Sequence, residues 1–212
     1  MTIEFILSEI NSTNVINKKN ILRYFSDAQI SVYTEKDLSD VFDKHPRWGY
    51  RMHDFYQPHK LLESKADLAI AIDADMLMVS DRVKAIVPLA RAFGFCVPAS
   101  SRRLVEKDTR IGADSDKKLD DSLGAGYTMC PAFMAFWTAD PQARKMLLAV
   151  RGLMFENPLR LPLVLWRAAY MTGVAPYILP QNWCVCEDDL GIGDEIILHT
   201  GHKKVRDFYH VQ

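Results

Sequence analysis

The sequence predicts a single α/β domain in which short apolar strands alternate with helices. The run Leu68–Ile72 contains only apolar residues, which is typical of a strand buried on both faces of a sheet. Residues 3–33 follow the order strand, helix, strand, the βαβ unit that joins parallel strands. With 212 residues, of which 49% are hydrophobic, the chain suffices for one core of roughly 100 to 200 residues. We therefore expect one domain that spans residues 1–212.

The first third of the chain supplies the opening unit. Ile3–Leu7 and Ile30–Tyr33 are short apolar runs and are predicted strands. Between them, Val15–Phe25 has apolar residues at helical spacing. A helix is predicted over Met52–Ser64, with a kink or a new start at Pro58. This helix leads into the buried strand.

The rest of the chain continues the alternation. Helices are predicted over Val83–Phe93, from Pro141 to about Phe155 and over Leu161–Met171, and strands over Phe95–Val97, Ala132–Trp137, Ala175–Leu179 and Ile196–Leu198. Asp140 before Pro141 is typical of a helix N-cap followed by proline at the first helical position. Residues 100–122 are polar, and loops of this length are usually functional or disordered. A lid over a ligand and a solvated surface loop both fit this segment.

Charge and hydropathy exclude several classes of partner. The chain has 26 Lys and Arg against 27 Asp and Glu, a balance that does not favour nucleic acid. Residues 1–10 carry two glutamates and lack the basic and long apolar regions of a signal peptide. Apolar runs all fall short of the roughly 18 to 20 residues of a membrane span. We expect a cytoplasmic protein without a membrane span.

The cysteines do not have the spacing of a common zinc motif. Cys184 and Cys186 form one Cys-x-Cys pair, whereas Cys96 and Cys130 stand alone. Structural zinc sites usually combine two closely spaced ligand pairs. The spacing therefore argues against a structural zinc site and predicts buried, reduced thiols.

Two carboxylates, Asp73 and Asp75, follow the apolar strand Leu68–Ile72. Ligands of α/β sheets bind beyond the carboxyl ends of the strands. Since burying unpaired carboxylates is costly, a cation explains their position better than a simple loop cap does. Mg²⁺ and Mn²⁺ prefer carboxylates together with phosphate oxygens. The pair therefore predicts a divalent metal that carries a phosphorylated substrate.

A second polar cluster follows the late predicted strand. His199 is succeeded by Gly201, His202, Lys203 and Lys204. A neutral imidazole can bind manganese, and adjacent lysines could neutralise a diphosphate. An ordinary loop after a strand is the alternative interpretation. The density of histidine and lysine favours a site.

The hydrophobic strand ending in Asp73-Ala74-Asp75, together with the late His199-x-Gly201-x-Lys203, resembles the nucleotide-sugar glycosyltransferases with the GT-A fold. The pattern is closest to family eight, which includes glycogenin and bacterial lipopolysaccharide galactosyltransferases. The resemblance implies a Rossmann-like α/β fold whose mixed, mostly parallel sheet is flanked by helices. It also implies a transfer of hexose from a nucleotide-sugar donor, UDP-linked, to a sugar, lipid-linked or protein acceptor.

The same resemblance implies roles for individual residues. Asp73, Asp75 and His199 would hold Mn²⁺ or Mg²⁺, and Asp73 would also contact the donor. The residues implied near the donor diphosphate are Lys60, Asp73, Gly201, Lys203 and Lys204. The nucleotide-binding loop after the first strand would contain Ser8, Glu9 and Asn11. In family eight the late signature has one more residue on each side of the glycine, so either Lys203 or Lys204 would contact phosphate.

Two other functions are compatible with an Asp-x-Asp after an apolar strand. A phosphohydrolase of the haloacid dehalogenase type would use Asp73 as a nucleophile and Asp75 as an acid/base, with magnesium. Residues 187–195 could supply its late acidic motif, but that family normally opens with the Asp-x-Asp strand, whereas two βα units precede it here. A non-catalytic nucleotide-sugar-binding module would keep the cation site and lack an acceptor pocket.

Overall fold

A seven-stranded mixed sheet forms the centre of the computed structural model, which describes residues 1–8, 14–33, 52–103, 127–156 and 161–211. Its strands are β1 (Ile3–Ser8), β2 (Gln29–Tyr33), β3 (Leu68–Ile72), β5 (Phe95–Arg103), β6 (Tyr127–Met129), β7 (Phe133–Trp137) and β8 (Tyr177–Leu179). Two further strands, β4 (Met76–Met78) and β9 (Ile197–His199), form a separate antiparallel pair.

The helices agree largely with the sequence pattern. They are α1 (Asn14–Tyr24), α2 (Met52–Glu63), α3 (Ile86–Phe93), α4 (Pro141–Glu156), α5 (Leu161–Thr172) and α6 (Lys203–Tyr209), with short 3₁₀ helices at Asp81–Ala85 and Gln181–Trp183. The predicted N-cap is confirmed, since the Ala143 amide donates to Asp140 Oδ1 at 2.7 Å. Within the described residues, each helix is too short or too polar to cross a membrane.

The sheet has the order β2-β1-β3-β7-β5-β6, and β8 also pairs with β5. Strand β1 is parallel to β2 and to β3, and β5 is parallel to β8. Strand β7 is antiparallel to both β3 and β5, and β6 is antiparallel to β5. Only β6 and β7 therefore run against the other five strands, which confirms the predicted mixed, mostly parallel sheet.

Strand β3 is buried on both faces. Leu68, Ile70 and Ile72 belong to the apolar cluster that includes residues of α1 and α3. Ala69 and Ala71 belong to the cluster that includes residues of α2, α4 and α5. Because successive side chains of a strand point to opposite faces, a strand between two helical layers requires an apolar residue at every position. This explains the continuous apolar run in the sequence.

Some predicted elements differ from the structure. The helix predicted over Val83–Phe93 is a 3₁₀ helix followed by α3, whose first turn accommodates Pro88 because amides there have no partner within the helix. Helix α2 continues through Pro58 without a restart. Strand β5 continues to Arg103, so residues 100–103 of the predicted loop are strand, and residues 104–122 lie outside the described residues. The short strands β4 and β6 and helix α6 were not predicted.

Candidate metal and donor site

The pairing of β4 with β9 joins the two polar motifs of the sequence. After β3 the chain turns at residues 73–76, where the Met76 amide donates to the Asp73 carbonyl oxygen at 3.1 Å. Strand β4 then runs antiparallel to β9, with Met76 opposite His199. As a result, ligand atoms of Asp73, Asp75 and His199 lie within 4.8 Å of one another at the carboxyl end of β3.

Asp73 is fixed by three hydrogen bonds from different elements. Its amide donates to the Ala132 carbonyl oxygen at 2.9 Å, which continues the hydrogen bonding between β3 and β7 by one residue. Asn17 Nδ2 in α1 donates to the Asp73 carbonyl oxygen at 3.0 Å. Gln57 Nε2, from the buried face of α2, donates to the carboxylate oxygen Asp73 Oδ1. Both the backbone and the carboxylate of Asp73 therefore have a defined position.

Asp75 is held by the loop that follows β9. The amide and the hydroxyl of Thr200 both donate to the Asp75 carbonyl oxygen, at 2.8 and 2.7 Å. Gly201 packs directly against the carboxylate: an ideal Cβ at this position would lie 2.9 Å from Asp75 Cγ and closer still to Oδ2. Arg206 Nη1 donates to the Gly201 carbonyl oxygen at 3.0 Å and also to that of Thr200. Because Gly201 has no Cβ, the loop after β9 can lie closer to the Asp75 carboxylate than it could with any other residue at this position.

His199 connects the carboxylates to a group of cysteines. Its Nε2 lies 3.4 Å from Asp75 Oδ1, and its Nδ1 lies 3.6 Å from Cys186 Sγ. Burial opposes the charged imidazole, but the hydrogen bonds to Asp75 and Cys186 outweigh it and raise the pKa of His199 to about 10. Burial also opposes ionisation of Asp75, yet its hydrogen bond with His199 holds the pKa of Asp75 below its ordinary value. A divalent cation at this site would therefore compete with the proton on His199.

Two solved structures of glycosyltransferases have a similar fold. The first is a glycosyltransferase involved in the glycosylation of the major capsid of PBCV-1, with a TM-score of 0.54 and 9% sequence identity over 99% of this chain and 98% of that one. The second is mouse xyloside xylosyltransferase 1 in its apo form, with a TM-score of 0.50 and 11% identity over 93% and 96% of the two chains. No model of a protein family and no curated protein sequence matches the chain.

The chain has the fold of these glycosyltransferases. At such low identities the likeness concerns the fold alone, so any activity has to be argued from the site. The likeness agrees with the predicted fold class, and it gives no support to the phosphohydrolase alternative.

The ligand atoms at the end of β3 suit a hard divalent cation. Two carboxylates supply the oxygen ligands that Mg²⁺ and Mn²⁺ prefer, and a neutral imidazole can bind Mn²⁺. The hydrogen bond from Gln57 to Asp73 is the kind of outer contact that orients metal ligands. Asp73, Asp75 and His199 would therefore fit Mn²⁺ or Mg²⁺.

Two of the three lysines predicted at the diphosphate form ion pairs with neighbouring acids. Lys60 lies in α2 one turn after Gln57, and its Nζ is 2.8 Å from Glu63 Oε2. Lys203 Nζ lies 2.5 Å from Asp207 Oδ2 on the exposed side of α6. Lys204 is exposed in the first turn of the same helix. Contact of these lysines with a diphosphate stays a prediction.

The predicted nucleotide loop is described only at its first residue. Ser8 ends β1, and Glu9 and Asn11 lie outside the described residues.

Several residues at the site were not singled out from the sequence. Gln57 donates to the Asp73 carboxylate, and Arg206 donates to backbone carbonyl oxygens of the loop after β9. Asn17 and Thr200 donate to the backbone carbonyl oxygens of Asp73 and Asp75, respectively. A signal for one of them was present, because Asn17 and Asn20 stand three apart in a predicted helix and so share one face. Asn20 Oδ1 accepts from the Met78 amide at 2.8 Å, and Asn20 Nδ2 donates to the Met78 carbonyl oxygen at 2.9 Å. These two hydrogen bonds connect β4 to α1.

Proposed function

We propose that the chain is a metal-dependent glycosyltransferase that moves a hexose from a nucleotide-sugar donor to an acceptor, in the manner of family eight. The observation that carries this proposal is the convergence of Asp73, Asp75 and His199 at the carboxyl end of β3, in a fold similar to that of two glycosyltransferases. The donor would be UDP-linked, and the acceptor a sugar, a lipid-linked sugar or a protein.

In this proposal Asp73, Asp75 and His199 hold Mn²⁺ or Mg²⁺. When bound, the metal would supply Lewis-acid stabilisation of the negative charge that develops on the departing nucleoside diphosphate. Gln57 keeps the Asp73 carboxylate in position. Gly201 lets the loop after β9 approach Asp75 closely. Gln57 and Gly201 would therefore raise the affinity for the metal without being metal ligands themselves.

The lysines would balance the remaining charge of the diphosphate. Lys60, Lys203 and Lys204 are the candidates, and Ser8, Glu9 and Asn11 would line the nucleotide. Two of the lysines are paired with Glu63 and Asp207, so donor binding would exchange these carboxylates for phosphate oxygens. Such an exchange keeps each ammonium paired, which limits the electrostatic cost of binding.

The proposed reaction breaks the bond between the anomeric carbon and the diphosphate oxygen and forms a bond from that carbon to an acceptor oxygen. The acceptor hydroxyl gives up its proton in the same process, to the departing diphosphate oxygen or to water. Holding donor and acceptor together in one site removes much of the entropic barrier to such a transfer. A nucleophilic side chain is then not required.

Calorimetric titration of UDP with and without Mn²⁺ tests the proposal. We expect binding that needs the metal and that Asp75→Asn weakens by about 10-fold or more, because a charged ligand is lost without a change in volume. Asp81→Asn is the matched control, since Asp81 is an exposed acid that pairs with Lys84 at 2.7 Å. This control should bind UDP and Mn²⁺ like the wild type.

Turnover separates the proposal from its two alternatives. A panel of UDP-sugars should then show release of UDP in the presence of a suitable acceptor. Failure to bind any nucleoside diphosphate, together with Mg²⁺-dependent hydrolysis of a phosphate ester, would indicate a phosphohydrolase with Asp73 as its nucleophile. Metal-dependent UDP binding without release of sugar to water or to any acceptor would indicate a binding module.

A further inference from the structure

Three of the four cysteines meet beside His199. Cys184 and Cys186 flank Val185, whose amide donates to the Ile197 carbonyl oxygen at 2.9 Å and whose own carbonyl oxygen accepts from the His199 amide at 3.0 Å. In an extended segment, residues two apart point to the same side. Cys184 and Cys186 therefore face together, whereas Val185 is buried against Leu198 and Val205 on the other side.

Cys130 completes the group from a distant part of the chain. It follows β6, where its amide donates to the Pro98 carbonyl oxygen at 2.8 Å. Its Sγ lies 2.8 Å from Cys184 Sγ, and Cys184 Sγ lies 4.0 Å from Cys186 Sγ. All three sulfur atoms lie within 4.8 Å of one another. Two distant parts of the chain thus bring three sulfur atoms, which are soft metal ligands, close together.

The geometry is close to that of a thiolate metal site. Zinc–sulfur bonds of about 2.3 Å in a tetrahedron place the sulfur atoms about 3.8 Å apart. The Cys184–Cys186 separation of 4.0 Å is near this value, and a small rotation of Cys130 would bring the third sulfur to it. A disulfide would use two of the thiols and leave Cys186 unexplained. Thiols are also weak hydrogen-bond donors, so mutual hydrogen bonds are a poor reason to gather three of them.

We propose that Cys130, Cys184 and Cys186 bind one zinc ion through three thiolates, a site separate from the one that would hold Mn²⁺. Thiolates are soft ligands and favour zinc over manganese or magnesium. Each thiol releases its proton to solvent when the ion binds. Cys130 and Cys186 are only half-buried, so a water molecule has access to the fourth position.

The zinc site also orients His199. With Cys186 bound as a thiolate, His199 Nδ1–H at 3.6 Å would donate a hydrogen bond to this sulfur, so that Nε2 could exchange its proton, shared with Asp75, for a metal ion held by that carboxylate. The zinc ion would thereby keep the proton of His199 on Nδ1, the tautomer that a metal bound to Asp73 and Asp75 requires. This second role rests on the proposed function, whereas the zinc site itself does not.

Zinc content of the full chain, purified under reducing conditions, tests the proposal. We expect one zinc per chain, measured by elemental analysis and native mass spectrometry, and a sulfur-to-metal charge-transfer band when cobalt replaces it. Substituting Cys130, Cys184 or Cys186 by Ser should reduce bound zinc to about a tenth or less, because each variant loses a charged ligand. Cys96→Ala is the matched control, since Cys96 is buried in β5 and does not belong to the group of three sulfur atoms within 4.8 Å of one another, and it should retain the zinc.

A wild-type measurement keeps the test valid should a serine variant fail to fold. Zinc should protect the half-buried thiols of Cys130 and Cys186 from a thiol reagent, and a chelator should make both reactive. Wild-type protein without tight zinc, or with a Cys130–Cys184 disulfide in its place, would overturn the proposal.

Two further variants separate this site from the donor site. Asp75→Asn and His199→Gln should both retain one zinc while losing Mn²⁺-dependent UDP binding. Loss of zinc in His199→Gln would overturn the three-thiolate assignment. Absence of UDP binding in a wild type that holds zinc would refute the proposed function and leave the zinc site standing.

Discussion

Replacing Gly201 by alanine should displace the Asp75 carboxylate and thereby weaken binding of a divalent metal. The added Cβ would lie 2.9 Å from Asp75 Cγ, whereas ordinary contacts of a Cβ are 3.4–4 Å. The backbone cannot easily move to relieve this overlap, because Thr200 binds the Asp75 carbonyl oxygen and Arg206 binds that of Gly201. The carboxylate itself therefore has to turn away.

The expected magnitudes follow from this overlap. Overpacking of a core costs roughly 1–3 kcal/mol, but Gly201 is exposed and the contacted Asp75 carboxylate can turn toward solvent, so the loss of stability should lie at or below the lower end of this range. For a chain of this size, each kcal/mol lowers the midpoint of thermal unfolding by about 2–4 °C. A misplaced ligand should weaken Mn²⁺ affinity by about 10- to 100-fold, the range seen when contacts that orient ligands are lost. Such a loss corresponds to about 1.4–2.8 kcal/mol of binding free energy, which is at least comparable with the loss of stability.

Direct titration of Mn²⁺ into Gly201→Ala, by calorimetry or electron paramagnetic resonance, measures this effect. Gly152→Ala is the matched control, because a Cβ at Gly152 in α4 would have no atom within 4 Å. That substitution should leave Mn²⁺ affinity unchanged and stabilise the helix by about 0.5–1 kcal/mol. Wild-type affinity in Gly201→Ala would refute the proposed close packing of Gly201 against a metal ligand.

Three further predictions concern neighbours of the site. Gln57→Leu removes a hydrogen bond to a carboxylate, a contribution of about 1.5–3 kcal/mol, and should weaken Mn²⁺ binding about 10-fold or more; unchanged affinity would show that Gln57 does not position Asp73. In metal-free protein the pKa of His199 is raised from 6.5 to about 10, so its stabilising effect is complete below pH 6.5 and is lost as pH rises through 10. Urea unfolding in chelator should show this decline in the free energy of unfolding, and His199→Gln should abolish it. Asn20→Leu removes two hydrogen bonds to the β4 backbone and should lower the thermal midpoint by about 2–8 °C without changing zinc content; an unaltered midpoint would show that α1 does not stabilise β4.

The local elements were predictable where a pattern in the chain has one physical cause. The run Leu68–Ile72 is apolar throughout because helices cover both faces of β3, and the strand was located from this run alone. The Asp140 cap and the following proline located the start of α4, since both act within a single turn. Strand β4 was missed because it has only three residues and depends on its partner β9.

The candidate site was predictable in part. Asp73 and Asp75 were identified because two acids at the end of an apolar strand have few structural explanations. The dense cluster of histidine and lysine and the family resemblance indicate His199, and the structure places it opposite Met76 and beside Asp75. Gln57 went unnoticed because a single amide in a helix has no distinctive pattern. Its importance arises only from the strand end that it faces.

The cysteines show the limit of spacing as evidence. Cys184 and Cys186 are near in the chain, but Cys130 comes from another strand end, and no pattern of spacing links it to them. Motif spacing reports only on metal ligands that are close in sequence. Folding brought the third thiol to within 2.8 Å of the second.

The α/β class, most of the strands and helices, and the two acids at the end of the central strand were predictable from the amino-acid sequence. These features depend on residues within one element, where hydrophobic periodicity and helix caps act locally. The contacts between distant residues became known from the fold: Gln57 with Asp73, Gly201 with Asp75, and Cys130 with Cys184 and Cys186. Such contacts depend on strand order and register, which pack distant segments against each other and leave no short-range trace in the chain.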